Sequence, residues 1–135
     1  MRKTNLIAFA IITIFLPLSS CKKKGPTIPD TKDLIETAEK NNDPVAYRRL
    51  GERYAAGTYG CEKDWNKAIE YSTKGADQGD ITAMSNLATW YSTGKEGVPQ
   101  DDQKSKMWYK KIVESDLKTE NEKILVDVAK NRLED

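Results

Sequence analysis

The sequence predicts an all-α fold: a short right-handed α-solenoid of two helix-turn-helix repeats between an N-terminal and a C-terminal capping helix. Apolar residues recur at helical spacing from Thr31 onward, and no segment shows the alternation of a strand. Within residues 43–116, a pattern of 37 residues occurs twice in succession without a gap. Since one helix pair cannot bury its own apolar face, this period indicates stacked pairs whose ends need cover.

The first 30 residues are predicted to lie outside this fold. Arg2 and Lys3, followed by the apolar run 6–18, are typical of a signal peptide, and the run is too short to span a bilayer as a helix. The sequence LSSC at 18–21 resembles the lipobox of bacterial lipoproteins. That resemblance implies removal of residues 1–20 and acylation of Cys21. The alternative is an ordinary secretory signal that happens to contain a cysteine.

A lipidated cysteine implies a location in the bacterial cell envelope. Each buried methylene contributes about 0.8 kcal/mol, so two or three acyl chains would anchor the protein stably. Residues 21–30 then form a linker, in which three successive lysines favour anionic headgroups. By analogy with proteobacterial sorting, an aspartate after the cysteine retains a lipoprotein in the inner membrane. Lys22 stands there, so the expected location is the outer membrane, facing the periplasm.

Start and stop signals place the helices in order. Asp30 or Thr31 begins the N-terminal capping helix, which is predicted within residues 31–42. Asp43 and Pro44 begin the first repeat, a capping carboxylate followed by proline at the first helical position. The other predicted boundaries are the first repeat at 43–79, the second repeat at 80–116, the C-terminal capping helix at 117–135, the caps Asp64, Asp80 and Asp101, and the stops Gly57 and Gly94.

Packing positions follow from the same spacing. Leu50 and Tyr54 lie four residues apart on one face, and Gly51 between them is expected to let two helices approach closely. Cys61 aligns with Val98 and is interpreted as a small buried hydrophobe, and the alternative is an intermolecular disulfide in an oxidising periplasm. Extending the 37-residue shift to the last helix puts Ile124 at the place of Leu87. The inward residues predicted there are Leu117, Ile124, Leu125, Val128 and Leu133.

The repeat also carries a family resemblance. Tyr47-x-x-Leu50-Gly51-x-x-Tyr54 follows the tetratricopeptide pattern with tyrosine in place of the first tryptophan. The continuation YxxGxxG…DxxKA resembles the Sel1-like repeat, with Ala88 where the first unit has Gly51. Ser105 likewise stands where the first unit has an alanine. The resemblance implies protein binding in a concave groove lined by the first helix of each unit.

Composition argues against several function classes. The chain has 22 basic and 21 acidic residues, and loss of two basic residues with the signal peptide leaves 20 against 21, a net charge of −1. Such a chain has no basic field for nucleic acid. It has no histidine, the commonest general base and metal ligand, so no metal or cofactor is expected. With Cys21 acylated, Cys61 has no second thiol for an intramolecular disulfide.

The predicted partner surface consists of the positions between the packing residues of the two first helices. Arginine and tryptophan are the residue types enriched at interface anchors. For the arginines the alternative is a solvated charged face, and for the tryptophan it is packing on a neighbouring helix. Trp65 is expected to pack locally. The predicted partner-binding residues are Arg48, Arg49, Glu52, Arg53, Ser85, Asn86, Thr89 and Trp90.

One short stretch of the sequence matches a catalytic motif. Ser92 and Lys95 form the S-x-x-K of penicillin-recognising enzymes, but there the serine begins a helix, whereas here Gly94 ends one. The functional expectation is therefore a membrane-anchored periplasmic adaptor or scaffold that binds another protein. The alternatives are an immunity protein that neutralises a secreted lipase-type toxin and an enzyme that acts on cell-wall or β-lactam substrates.

Overall fold

The structure is a computed structural model that describes residues 29–116 and 119–134. The predicted signal peptide, the predicted lipidation site Cys21 and Leu117 lie outside the described residues. None of the helices in the described ranges is long and apolar enough to cross a bilayer. The helices within those ranges are α1 (Thr31–Asn41), α2 (Pro44–Ala56), α3 (Trp65–Asp77), α4 (Ile81–Thr93), α5 (Asp102–Val113) and α6 (Glu120–Glu134).

Helices pack in the order in which they occur along the chain. Each one contacts the helix before and after it, and α4 also contacts α6. Across the two described ranges, extended structure is limited to a single bridge between Lys95 and Val98. Contacts within a unit and between consecutive units are typical of an α-solenoid, in which stacked units bury a continuous core. The predicted all-α solenoid is confirmed.

Aspartates begin the helices and glycines end the first helix of each unit. The carboxylates of Asp43, Asp64, Asp80 and Asp101 each accept a hydrogen bond from a backbone N–H of the first turn, at 2.7–3.0 Å. This bond satisfies one of the donors that a helix start leaves unpaired. The glycines that end α2 and α4 have φ of 67° and 66°, a region that glycine adopts without steric cost.

A cap, a lysine and an aromatic ring form one arrangement that recurs in both units. The backbone N–H of Asp64 donates to the carbonyl of Tyr54 at 2.9 Å. The ammonium of Lys67 lies 5.1 Å from the centre of the Tyr54 ring and 4.0 Å from the Asp64 carboxylate. This lysine therefore joins the second helix of the unit to the aromatic residue of the first. The second unit repeats these contacts with Asp101, Tyr91 and Lys104.

The core lies in two clusters. The smaller one joins α1 to α2 and includes Leu34 and Leu50, with Tyr71 of α3 packed against it. The larger one joins α4, α5 and α6 and includes Leu87 and Ile112. Since Ile112 belongs to the same cluster as residues of α6, the last helix covers the apolar face that the second unit leaves open.

Gly51 marks the closest approach of α2 to α3. A Cβ atom at this position would overlap the Oγ of Ser72 and lie 3.0 Å from the carbonyl oxygen of Ala68. Glycine inside a helix costs about 1 kcal/mol relative to alanine, and the close packing offsets that cost. In the second unit the residue at this position is Ala88, whose carbonyl accepts a hydrogen bond from Ser105 at 2.9 Å.

The inward face of α6 differs from the one that the 37-residue shift predicts. Ile124 is 60% exposed and Val128 is 44% exposed, whereas Val126 and Ala129 are buried. The prediction was wrong because the connection from α5 to α6 is longer than the connection from α3 to α4, so the helix enters in another register. Leu125, as predicted, packs against the core cluster, and so does Leu133.

Cys61 is less buried than predicted. It is half-buried, whereas Val98 at the equivalent position is buried. Its thiol donates to the Oγ1 of Thr31 at 3.5 Å, and that hydroxyl donates in turn to the carbonyl of Tyr59. In the first unit, the loop between the two helices is therefore held against the start of α1. The cysteine lies beside the polar groups of this contact and not inside the apolar core.

Gly51→Ala is expected to destabilise the fold by about 1–3 kcal/mol, because the added methyl group overlaps the Ser72 hydroxyl in a tightly packed site. That hydroxyl is buried and has no hydrogen-bond partner among the described residues. Adding Ser72→Ala should therefore recover part of the loss in urea denaturation, while the close contact with the carbonyl oxygen of Ala68 remains. As a control, Ala88→Gly should cost about 1 kcal/mol. This loss should be the same with and without Ser72→Ala. No recovery in the double variant would contradict the proposed overlap.

Candidate functional site

A polar network links the first helices of the two units. Arg48 of α2 donates through Nη1 to Glu52 at 2.7 Å and through Nε to Asp80 at 3.2 Å. Asn86 of α4 donates to the same oxygen of Glu52 at 3.3 Å. Three of the predicted surface residues therefore meet in one network. Asp80 was missed because the sequence marks it only as the cap of α4, a role it also performs.

The network holds its charges in fixed positions. The side chain of Arg48 is 20% exposed and that of Asp80 is 9% exposed. Burial is the largest single influence on the pKa of Arg48 and lowers it, but the hydrogen bonds and charges of Glu52 and Asp80 together outweigh burial and raise the pKa. Arg48 is thus a permanently charged crosslink between α2 and α4, and the solvated alternative does not describe it. Glu52 remains open to solvent on one side.

Other predicted residues stand free beside the network. Arg49 is exposed, and no carboxylate in the described ranges forms an ion pair with it. Thr89 is exposed and Ser85 is half-buried on the adjacent helix. The α2–α4 surface, as we call it, comprises the residues Arg48, Arg49, Glu52, Ser85, Asn86 and Thr89. It offers a free cation beside an ordered polar network.

Arg53 does not belong to this surface. It is only 6% exposed. Its guanidinium donates to the carbonyl of Pro29 at 2.7 Å and to the hydroxyl of Thr31 at 3.0 Å, and it lies 4.7 Å from the centre of the Tyr59 ring. Its prediction as a partner-binding residue is wrong, because the side chain fixes the start of α1 and satisfies a backbone carbonyl there.

Trp90 packs against the first unit. Its ring meets that of Trp65 edge-to-face, with centroids 5.4 Å apart and planes at 77°. Both residues are half-buried, and Trp90 also packs against the larger core cluster. The packing alternative for Trp90 therefore describes its contacts, and Trp65 packs locally as predicted. Such pairs contribute about 0.5–1.5 kcal/mol beyond the area they bury.

The residues of the S-x-x-K match have separate partners. Ser92 donates to the carbonyl of Thr89 at 2.9 Å, inside the last turn of α4. The ammonium of Lys95 lies 5.8 Å from the centre of the Trp65 ring. Gly94 ends the helix between them, so the lysine does not lie one turn above the serine as the enzyme motif requires.

The comparison with known families agrees with the repeat that the geometry shows. The model of the Sel1 repeat matches residues 44–80 and 81–116. The chitin synthase regulator SKT5 of Malassezia restricta is 33% identical over 85 residues, which cover 62% of this chain and 6% of that protein. Chitin synthase regulatory factor 3 of Schizosaccharomyces pombe is 28% identical over 113 residues, which cover 66% of this chain and 12% of that protein. The chain thus spans a small part of these relatives.

Two solved structures share the fold. One is a protective antigen present in uropathogenic Escherichia coli strains that displays an SLR fold. It has a TM-score of 0.56 and 35% identity, over 62% of this chain and 17% of that one. The other is a Sel1 repeat protein from Oxalobacter formigenes, with a TM-score of 0.53 and 26% identity over 75% of this chain and 48% of that one.

The tryptophan pair is expected to contribute to stability as a unit. Trp90→Ala and Trp65→Ala should each lower the free energy of unfolding, by less than the roughly 3–5 kcal/mol of a fully buried tryptophan. A double-mutant cycle in urea denaturation should give a coupling energy of about 0.5–1.5 kcal/mol. Strictly additive losses would show that the two rings do not interact in solution.

Proposed function

The chain belongs to the Sel1 repeat family, and we propose that its two repeats form a protein-binding module held at a bacterial membrane by a lipid anchor. Sel1 repeats commonly serve as scaffolds for protein interaction. The observation that carries the proposal is the α2–α4 surface, where the Arg48 network fixes the first helices of both units beside the unpaired Arg49. The module would act as an adaptor or scaffold.

Preorganisation makes this surface suited to binding. Ordering a flexible side chain on association costs about 0.5–1.5 kcal/mol, and the hydrogen bonds of Arg48, Glu52 and Asn86 have already ordered these three. The exposed Arg49 can then add a charge-assisted hydrogen bond to a partner without breaking an internal ion pair. A fixed polar platform with one free cation favours a partner that offers carboxylates at matching positions.

The relatives support binding over catalysis. The two fungal proteins are named as a regulator and a regulatory factor of chitin synthase. A regulator can act by contacting the enzyme it regulates, and the matched segments are repeats of the same kind. Their activities as whole proteins extend over much longer chains. We therefore take from them only the role of the repeat as a contact module.

The sequence before the fold supports a membrane location for the module. The lipobox-like LSSC at 18–21 and the three lysines after it are the features of an acylated anchor near anionic headgroups. A linker at 21–30 reaches at most about 30 Å if extended at roughly 3.1 Å per residue. We propose that the repeats lie close to the membrane surface, on the periplasmic side of the outer membrane.

Binding at the α2–α4 surface can be tested with the full-length tagged chain as bait. The baits would be exposed to envelope extract and to secretions of competing bacteria, and the affinity of any captured partner would then be measured. Arg49→Ala should weaken it by about 1 kcal/mol or more, a loss that only a minority of interface residues cause on truncation. Lys32→Ala removes the same charge from the exposed part of α1 and should leave the affinity unchanged.

The identity of the partner decides between the two roles. An envelope protein would make the chain an adaptor, whereas a secreted lipase-type toxin would make it an immunity protein. Equal losses in Arg49→Ala and Lys32→Ala would mean that the α2–α4 surface is not the contact. A well-folded bait that retains no specific partner from either source would contradict the binding module itself.

The anchor is tested separately. In cells fed an alkyne-labelled fatty acid, the wild-type chain should carry the label and sediment with membranes. Cys21→Ala should lose the label, because the acylated sulfur is gone, and should no longer be processed at residue 20. Cys61→Ala is the matched control and should keep both properties. Labelled Cys21→Ala would contradict the lipoprotein assignment.

A further inference from the structure

The three junctions between a first helix and the preceding element can be compared within one molecule. At the first junction Arg53 of α2 donates to Pro29 and Thr31. At the second, 37 residues on, Trp90 of α4 packs its ring on Trp65. In both cases a side chain near the end of a first helix reaches the start of the helix that precedes the unit and occupies the space there.

The equivalent residue of α6 follows from its buried face. A shift of 42 residues, from Leu87 to Ala129, aligns most inward positions of α4 with those of α6. The exceptions are Ile81 and Ala88, because Lys123 and Lys130 at the corresponding places are exposed. The same shift places Arg132 at the position of Trp90. The other aligned pairs are Ala83 with Leu125, Met84 with Val126, and Tyr91 with Leu133.

The third junction holds a cavity instead of a contact. Its volume is about 320 Å³, and its lining residues come from α4, α5 and α6. Arg132 and Asp102 both line it but form no ion pair with each other within the described ranges. The lining residues are Ser92, Asp102, Ser105, Lys106, Tyr109 and Arg132.

Substitutions between the repeats explain the open space. Asp102 stands where the second junction has Trp65, and Lys106 stands where it has Ile69, a residue that packs against the core. Together with Arg132 in place of Trp90, all three apolar residues that fill the second junction are replaced by charged ones at the third. The apolar filling is lost, while the helices that enclosed it remain.

The charged residues of this cavity differ in whether they have a partner in the described part of the chain. Neither Lys106 nor Arg132 forms an ion pair with any described residue, whereas Asp102 already accepts a hydrogen bond from the side chain of Gln100 at 3.1 Å. The hydroxyl of Ser105 is engaged with a backbone carbonyl. Recognition of a ligand therefore falls to the two cations and to the ring of Tyr109.

We propose that this cavity binds an aromatic side chain flanked by carboxylates, presented by an acidic segment of a partner protein. The volume lies at the lower end of the range of ligand pockets, roughly 300–1,000 Å³, which suits one side chain. The aromatic group takes the place that a tryptophan fills at the second junction and packs beside Tyr109. The carboxylates pair with Lys106 and Arg132, and Arg132 can hold one of them with two parallel hydrogen bonds.

The inference rests on the proposed function in that the ligand belongs to a partner protein, but it uses none of the residues of the α2–α4 surface that Arg49→Ala tests. The probe is the peptide Gly-Asp-Trp-Asp-Gly, labelled with a neutral fluorophore and titrated with the full chain in non-ionic detergent. Fluorescence anisotropy should show saturable binding. Gly-Asn-Trp-Asn-Gly lacks both carboxylates and Gly-Asp-Ala-Asp-Gly lacks the aromatic ring, so each should bind about tenfold more weakly or worse.

Variants locate the site. Arg132→Gln and Lys106→Gln should each weaken the peptide about tenfold or more, whereas Lys130→Gln, the same charge change on the exposed side of α6, should not. Asp102→Trp with Arg132→Trp should recreate the tryptophan pair, abolish binding and raise the urea midpoint of unfolding. Equal binding of all three peptides, or equal loss in Lys130→Gln, would overturn the proposal. Failure of every peptide while a partner still depends on Arg49 would overturn this site and leave the proposed function standing.

Discussion

The close approach of α2 to α3 is the constraint from which the first unit is built. At Gly51 no side chain fits between the helices, and at Gly75 a Cβ atom would lie 2.8 Å from the carbonyl oxygen of Pro44. Glycines thus allow a short separation at the middle of the pair and at the end where α2 begins. At this distance Tyr54 and Tyr71 stack with ring centres 5.6 Å apart and planes at 6°. The same separation lets one lysine of α3 reach both its own cap and a ring of α2.

The second unit reaches a similar geometry with larger residues. Ala88 replaces the first glycine and Ile112 the second, and Ile112 is fully buried in the cluster that includes residues of α6. An isoleucine in place of the second glycine leaves more apolar surface for the next element to cover. The extra surface explains why the larger core cluster lies at this end of the solenoid, and why the chain needs a long capping helix there.

Most of the fold could be predicted from local signals in the sequence. The contacts between residues distant in sequence could not. Asp64 marks a helix start and Gly57 a helix end by their own chemistry. The 37-residue repeat gives each signal a second time, at Asp101 and Gly94. Arg53 carries no such mark, because its hydrogen bonds go to residues more than twenty positions away. Ile124 was misplaced because a repeat fixes register only while connections keep their length. The α2–α4 network was predicted in part, since the sequence marks Asp80 only as a helix cap.

The departures from the repeat are where this molecule differs from a uniform scaffold. Packing positions recur because each unit must bury the same face, so they hold little information about a partner. Arg53, Trp90 and Arg132 occupy one structural position and yet make three different kinds of contact: hydrogen bonds to backbone, an aromatic pair, and the wall of a cavity. Unlike the packing positions, this position holds residues of different chemistry in the three helices. In a solenoid of two units, we therefore expect the residues that recognise a partner to lie at the junctions and on the outward faces of the first helices.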